Sequence, residues 1–286
     1  MSQKTLIIGA TGRVGMELAR LLVEKGEAVR AATRSPSTAP VRLPRTAEVA
    51  EFDFDRPETF APALGGVARV FLMARPGDNH ADKVAMPFID LAKKGGVRLI
   101  VNLTAMGVEQ DDTFTLRLLE KYVEASGIPY VHLRPNWFMQ NFNSGPMLSD
   151  IRATGGLHLP ASDAKLSFID VRDIAAVGLA ALTEPRHAGK AYTLTGGEAL
   201  DHYEVVGILS RAAGKTITYV PLSEEAARAA LNKTGVPGDL IERWTKFYRI
   251  VRLGLCAPVT DDAESVLGRP TITFEKYARD YAATWR

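Results

Sequence analysis

Hydrophobic positions along the chain fall into short apolar runs separated by stretches of helical period. Leu6-Ile7-Ile8 has no polar alternation, which predicts a strand buried on both faces, as in the middle of a parallel sheet. Val14, Leu18, Leu21 and Leu22 follow at helical spacing. The alternation continues with strands predicted at 28–34, 48–52, 69–74, 97–103 and 130–133, and helices at about 57–64, 79–94 and 114–126. Such a sequence predicts an α/β fold built on a doubly wound parallel sheet. Beyond it the pattern is less regular. An alanine-rich helix at 173–182 is expected to return to the sheet, capped by Asp170 or Asp173. The stretch 191–194, helices near 202–213, 223–232 and 237–253, and a last one near 274–285 are expected to form a smaller, mixed, mostly helical C-terminal lobe. The expected domains are therefore 1–155, with 165–185 returning to it, and 156–286.

Between the first strand and first helix stands Gly9-Ala10-Thr11-Gly12-Arg13-Val14-Gly15. Gly9 allows the tight turn, Gly12 lets a diphosphate approach the backbone, and Gly15 lets the helix sit close to the strand. The N–H groups at the helix start favour an anion. In this context the motif predicts a dinucleotide-binding Rossmann sheet; the alternative is a glycine turn that merely packs a βα unit. The spacing is GxxGxxG rather than GxGxxG. The second strand ends in Thr33-Arg34, without the carboxylate that holds a ribose 2′-hydroxyl in NAD-specific sites. Arg34, with Arg13, is suited to a 2′-phosphate, which points to NADP(H); two solvated arginines are the plain alternative. After the third strand, Asp53 is placed to accept from an adenine amino group, with Phe54 beside it, and Asp55 to cap the helix that has Pro57 in its first turn. Met73, Ala74 and Arg75 at the end of the fourth strand are expected dinucleotide neighbours, before the break at Pro76-Gly77.

The 286 residues suffice for such a domain and a smaller lobe. A composition of 46% hydrophobic and 24% charged residues with a formal charge of +2 argues for an ordinary globular chain and against a nucleic-acid partner. No apolar run approaches the ~18 residues of a membrane span, and the chain enters its first strand almost at once, so a cytoplasmic protein without membrane association is expected. The single cysteine, Cys256, makes neither an internal disulfide nor a zinc site, and no metal is expected. Oligomeric state is not legible.

Several stretches carry a family likeness: the glycine turn, Ser126-Gly127-Ile128-Pro129-Tyr130 with Glu120 before it, Leu133-Arg134-Pro135-Asn136-Trp137-Phe138-Met139-Gln140-Asn141, 168–175, 192–196, 264–270 and Trp285. Together they resemble the NmrA-like group of atypical short-chain dehydrogenases/reductases. The resemblance implies that the glycine loop takes the diphosphate of NAD(P)H, that Arg34 favours the phosphorylated form, and that Pro135, Asn136, Trp137 and Phe138 flank the nicotinamide. The group includes flavin-free reductases of quinones, azo dyes and triphenylmethane dyes, and ergot-alkaloid-type iminium reductases. Its namesake is a regulator that binds dinucleotide without turning it over.

The Tyr-x-x-x-Lys pair of ordinary short-chain dehydrogenases is absent: Tyr122 is followed at that spacing by Ser126, and Tyr130 by Arg134. The lysine that isoflavone-reductase-like relatives place earlier on this helix corresponds to Leu116. The position of the ordinary active-site serine falls at Ala105, beside Thr104, which is left as the candidate catalytic hydroxyl or simply closes its strand. Ketone reduction leaves an alkoxide and gains about 10²–10⁴-fold from a positioned acid, whereas a strongly electrophilic acceptor gains less. The missing pair thus favours a quinone, azo or triarylmethane acceptor, and equally fits a protein with no chemistry. His80 is a candidate proton donor. Trp137, Phe138, Met139 and Phe142 form an apolar group expected either to line a pocket for a small aromatic substrate or to join the lobes. The expectation is an NADPH-dependent, flavin-independent reductase, with a dinucleotide-sensing regulator and an imine or iminium reductase as rivals.

Overall fold

The computed structural model describes residues 4–38, 43–75 and 80–286. Pro40 of the expected 36–47 loop, the Pro76-Gly77 break and the expected helix start at 79 lie outside the described residues. The described elements run β1 (Lys4–Ile8), α1 (Arg13–Glu24), β2 (Val29–Thr33), β3 (Glu48–Glu51), α2 (Phe60–Leu64), β4 (Val67–Met73), α3 (Ala81–Lys94), β5 (Leu99–Leu103), α4 (Thr115–Ala125) and β6 (Tyr130–Pro135). They continue through α5 (Gly145–Thr154), β7 (Gly156–Leu159), α6 (Val171–Thr183), β8 (Lys190–Leu194), α7 (His202–Ala213), β9 (Thr218–Pro221), α8 (Glu224–Lys233), α9 (Gly238–Arg252), α10 (Asp262–Leu267) and α11 (Phe274–Asp280).

Two compact units divide the chain: Met1–Pro135 with Val171–Leu194 and Asp262–Arg269, and Asn136–Asp170 with Thr195–Asp261 and Pro270–Arg286. The first is a parallel sheet in the order β3-β2-β1-β4-β5-β6-β8. Leu6 and Ile7 are fully buried, as an apolar strand with helices on both faces requires. One face of the sheet closes on Phe52, Phe54, Phe60 and Phe88, whose rings pack mostly edge to face with centroids 4.9–6.4 Å apart.

Two expectations are corrected in this unit. Residues 190–194 form the seventh strand of the sheet rather than part of the C-terminal lobe, pairing with β6 from Val131–Lys190 to Pro135–Leu194. Residues 262–269 join the same unit: α10 buries Ala263 and Val266, Asp262 accepts from the Thr193 N–H at 2.7 Å, and Arg269 donates to the fully buried Asp173 at 2.7 Å. Asp55 does not cap the helix at 57–64, which begins as a 3-10 turn at Pro57–Thr59 with Arg56 in the cap position and no side-chain cap. Its carboxylate instead forms a two-pronged ion pair with Arg75.

The second unit pairs β7 with β9 in parallel, two short strands that the apolar pattern did not announce, and packs helices around them. Phe142, Phe168 and Phe274 meet edge to face at 5.4–5.7 Å. Trp285 is fully buried and donates its indole N–H to the Phe142 carbonyl at 2.7 Å. The expected 274–285 helix ends at Asp280 and passes into a 3-10 turn at Ala282–Thr284. Among the described residues no helix is long and apolar enough to cross a membrane.

Candidate functional site

At the carboxyl end of β1 the chain turns at Gly9, whose φ of +74° lies in the left-handed region that favours glycine. The Gly12 N–H donates to the Gly9 carbonyl at 2.9 Å, and Gly12 is the cap of α1, with no side chain capping the helix and no acidic residue in its first turn. The leading N–H groups of α1 are therefore not neutralised by a local carboxylate, the condition an incoming phosphate requires. Gly15 serves the close approach of helix and strand: a Cβ there would stand 2.3 Å from the Gly9 carbonyl oxygen and 2.9 Å from the Ala10 Cα. Gly15→Ala must push α1 away from the turn, and is expected to cost about 1–3 kcal/mol of stability. It should also weaken dinucleotide binding, as thermal melting with and without NADPH would show. Ala10 and Val14 are buried packing residues, Thr11 is half-buried, and Arg13 is exposed as the first residue of α1.

Arg34 follows β2 and is exposed on the same carboxyl edge. Beyond β3, the Asp53 side chain accepts from the Asp55 N–H at 3.1 Å, and the Thr59 hydroxyl accepts from the Asp53 N–H at 3.1 Å. These bonds fix the 53–59 turn above the phenylalanine cluster, in which Phe54 is buried. The Arg75 hydrogen bonds hold the Asp55 carboxyl below the usual carboxylate range, and the charge of Arg34 acts in the same direction. Met73 lies over the glycine turn, its terminal methyl 2.2 Å from where a Cβ on Gly9 would stand. Ala74 is buried, and Arg75 is half-buried.

Thr104 ends β5 in a buried polar network. Its hydroxyl donates to Glu120 at 2.8 Å, and Glu120 also accepts two hydrogen bonds from Arg134, at 2.9 and 2.8 Å, and one from Arg117 at 2.9 Å. The Thr104 hydroxyl is thereby engaged within this network. Burial pushes the Glu120 carboxyl upward, but the Arg134 and Thr104 hydrogen bonds and neighbouring charges outweigh it and hold the group below the usual range. Burial lowers the neighbouring His132, which is 1% exposed. Glu120, Glu124 and His132 bring ligand atoms within 4.8 Å of one another, but a cation there would have to displace guanidinium groups from Glu120. Arg117 meets Glu120 within α4, three residues apart, whereas Thr104 and Arg134 reach it only when α4 packs beside β5 and β6, which no periodicity announces.

The remaining candidates separate by burial. His80 is exposed at the start of α3, where its carbonyl accepts from the Val84 N–H at 3.0 Å. Pro135 closes β6, and its carbonyl accepts from the Met106 N–H at 3.0 Å. In the second unit the Asn136 amide is buried and donates to the Ser167 hydroxyl at 2.7 Å and the Cys256 carbonyl at 2.8 Å, so its N–H groups hold backbone together. Trp137 and Phe138 are half-buried, with the Trp137 ring edge-on to Tyr248 at 5.3 Å. Met139 and Phe142 are 1% and 0% exposed and belong to the core, which narrows the expected pocket wall to Trp137 and Phe138.

The sequence profile of the NmrA-like family matches residues 1–252. The chain is 34% identical to an NAD(P)H azoreductase from Xenophilus azovorans, over 98% of both chains. Its fold is similar to that of an NADPH-dependent quinone oxidoreductase from Escherichia coli solved with NADPH, at a TM-score of 0.85 and 24% identity, covering 97% of this chain and 99% of that one. A triphenylmethane reductase from Citrobacter sp. solved with NADP(H) superposes at a TM-score of 0.83 and 22% identity, covering 98% and 99%.

Proposed function

Because the chain belongs to the NmrA-like family, we propose that it is an NADPH-dependent oxidoreductase that needs no flavin and passes hydride to an activated aromatic acceptor, a quinone, azo or triarylmethane compound. The observation that carries this reading is the likeness along nearly the whole chain to an NAD(P)H azoreductase. The glycine turn, with no side chain capping α1, fits a dinucleotide independently of that likeness. Gly9, Gly12 and Gly15 hold the diphosphate, and Arg34 with Arg13 pairs the 2′-phosphate. Asp53, Phe54, Met73, Ala74 and Arg75 border the adenosine, and Pro135, Asn136, Trp137 and Phe138 border the nicotinamide. When bound, the cofactor supplies the hydride. The protein's own contribution is to position a flat acceptor, with Trp137 and Phe138 as the apolar faces that receive it. Acceptors whose reduction leaves a stabilised anion or a neutral product gain little from a side-chain acid, which agrees with the engagement of Thr104 by Glu120. A cytoplasmic setting, with NADPH as the reductant, belongs to the same reading.

The test is NADPH oxidation at 340 nm by the flavin-free protein against quinones, azo dyes and triarylmethane dyes, with NADH as control. Saturable turnover preferring NADPH is expected. Arg34→Ala should weaken NADPH by roughly 10- to 100-fold, the scale of one lost charged hydrogen-bonding group, with little change for NADH. Tight NADPH binding without turnover of any acceptor would overturn the reductase reading in favour of a dinucleotide-sensing regulator.

A further inference from the structure

The Asp55–Arg75 ion pair joins two segments that the sheet itself keeps apart. In the order β3-β2-β1-β4, strands β2 and β1 lie between β3 and β4. Three strand spacings separate those two strands, about 14 Å. Asp55 lies four residues beyond the end of β3 and Arg75 two beyond the end of β4, both on the carboxyl edge. Their side chains nevertheless meet in a two-pronged pair, Nη1 to Oδ2 at 2.5 Å and Nη2 to Oδ1 at 2.6 Å. The pair ties the segment that leaves β3 to the segment that leaves β4, on the carboxyl edge from which the Gly9 turn and Arg34 also leave. On a doubly wound sheet the crevice at that edge receives the dinucleotide, and the β2 side of the glycine turn receives its adenosine half.

One end of the bridge is built rigidly. Asp53 accepts from the Asp55 N–H, Thr59 holds the Asp53 N–H, and Phe54 between them is sunk in the phenylalanine cluster. A carboxylate fixed in this way, engaging both terminal nitrogens of Arg75, sets the plane of the guanidinium. We propose that Asp55 is a positioning residue that holds the Arg75 guanidinium as a flat cap over the adenine of NADP(H). The inference rests on the dinucleotide reading above and adds to it a contact made by residues outside the glycine motif. Arg75 touches the cofactor; Asp55 acts through Arg75.

Calorimetric binding of the two halves of the cofactor separates this role from general stability. Adenosine 2′,5′-bisphosphate carries the adenine, and reduced nicotinamide mononucleotide lacks it. Asp55→Asn and Arg75→Ala are each expected to weaken the bisphosphate and NADPH by roughly 3- to 30-fold, the range of a cation stacked on an aromatic ring. Binding of the mononucleotide should not change. The double variant should lose little more than either single one, because both remove the same contact. Asp55→Glu, which keeps a carboxylate at the position, should recover part of the loss. Both side chains are partly or largely exposed, so folding should survive every substitution. Unchanged or tighter binding of the bisphosphate by Asp55→Asn, or equal losses for both halves, would overturn the assignment while leaving the dinucleotide site intact. Failure of the unaltered protein to bind the bisphosphate or NADPH would overturn the dinucleotide reading and this assignment together.

Discussion

Glu120→Gln is expected to lower folding stability by roughly 3–5 kcal/mol, the cost of leaving a buried charge without its partner. The Glu120 side chain is fully buried and receives Arg134 through two hydrogen bonds, Arg117 through one and the Thr104 hydroxyl through another. An amide keeps the shape but removes the charge and turns an N–H₂ toward a guanidinium that can only donate. Arg134 then remains largely buried with only its longer ion pair to Glu109, at 3.5 Å. The sign with pH follows from the lowered Glu120 carboxyl: its stabilisation is present above the unfolded carboxylate range and is lost as pH falls through the folded value. Chemical denaturation at neutral pH and in acid checks both points, since the gap between wild type and Glu120→Gln should narrow in acid. Equal midpoints at neutral pH would show that the network contributes nothing.

Phe142→Ala is expected to cost about 3–5 kcal/mol, as for other fully buried aromatic side chains. Its ring meets Phe168 and Phe274 at 5.4 Å, and its carbonyl receives the Trp285 indole. The substitution empties the centre of the second unit's core and loosens the seat of the chain's penultimate residue. Because no face of Phe142 is exposed, the folded fraction should retain the KM for an aromatic acceptor while the unfolding midpoint falls. A raised KM with an unchanged midpoint would return Phe142 to the substrate wall.

The elements most legible in the sequence are those whose cause is local. The glycine turn can be read because positive φ at Gly9 and the approach at Gly15 each exclude a side chain within a few residues of one another. The apolar runs of β1, β4 and β5 likewise carry their own burial. Glu120 illustrates what is not local: its partners lie at 104, 117 and 134, and two of them come from strands that become its neighbours only when the sheet forms. Asp55 beside Pro57 has the local pattern of a helix cap, but a guanidinium 20 residues away offers a stronger partner. The four-residue strands β7 and β9 are too short to show a period, and β8 follows a long excursion through the other unit, which hides its membership of the sheet. For the candidate site, the order of residues proposes a cofactor side and an apolar group, and burial separates the half-buried Trp137 and Phe138 from Met139 and Phe142 in the core.

The interrupted course of the chain through its first unit has a consequence during synthesis. Six strands of the sheet have been made when Pro135 is added, but the partner of the sixth is residues 190–194. At ribosomal rates of 5–20 residues per second, β6 waits roughly 3–12 s for that partner. An open strand edge is a template for pairing with other nascent chains. The edge strand Tyr130–Pro135 carries Arg134 and a terminal proline, two features that disfavour such pairing. The charged layer that stabilises the finished sheet thus also guards it on the ribosome, before the seventh strand arrives.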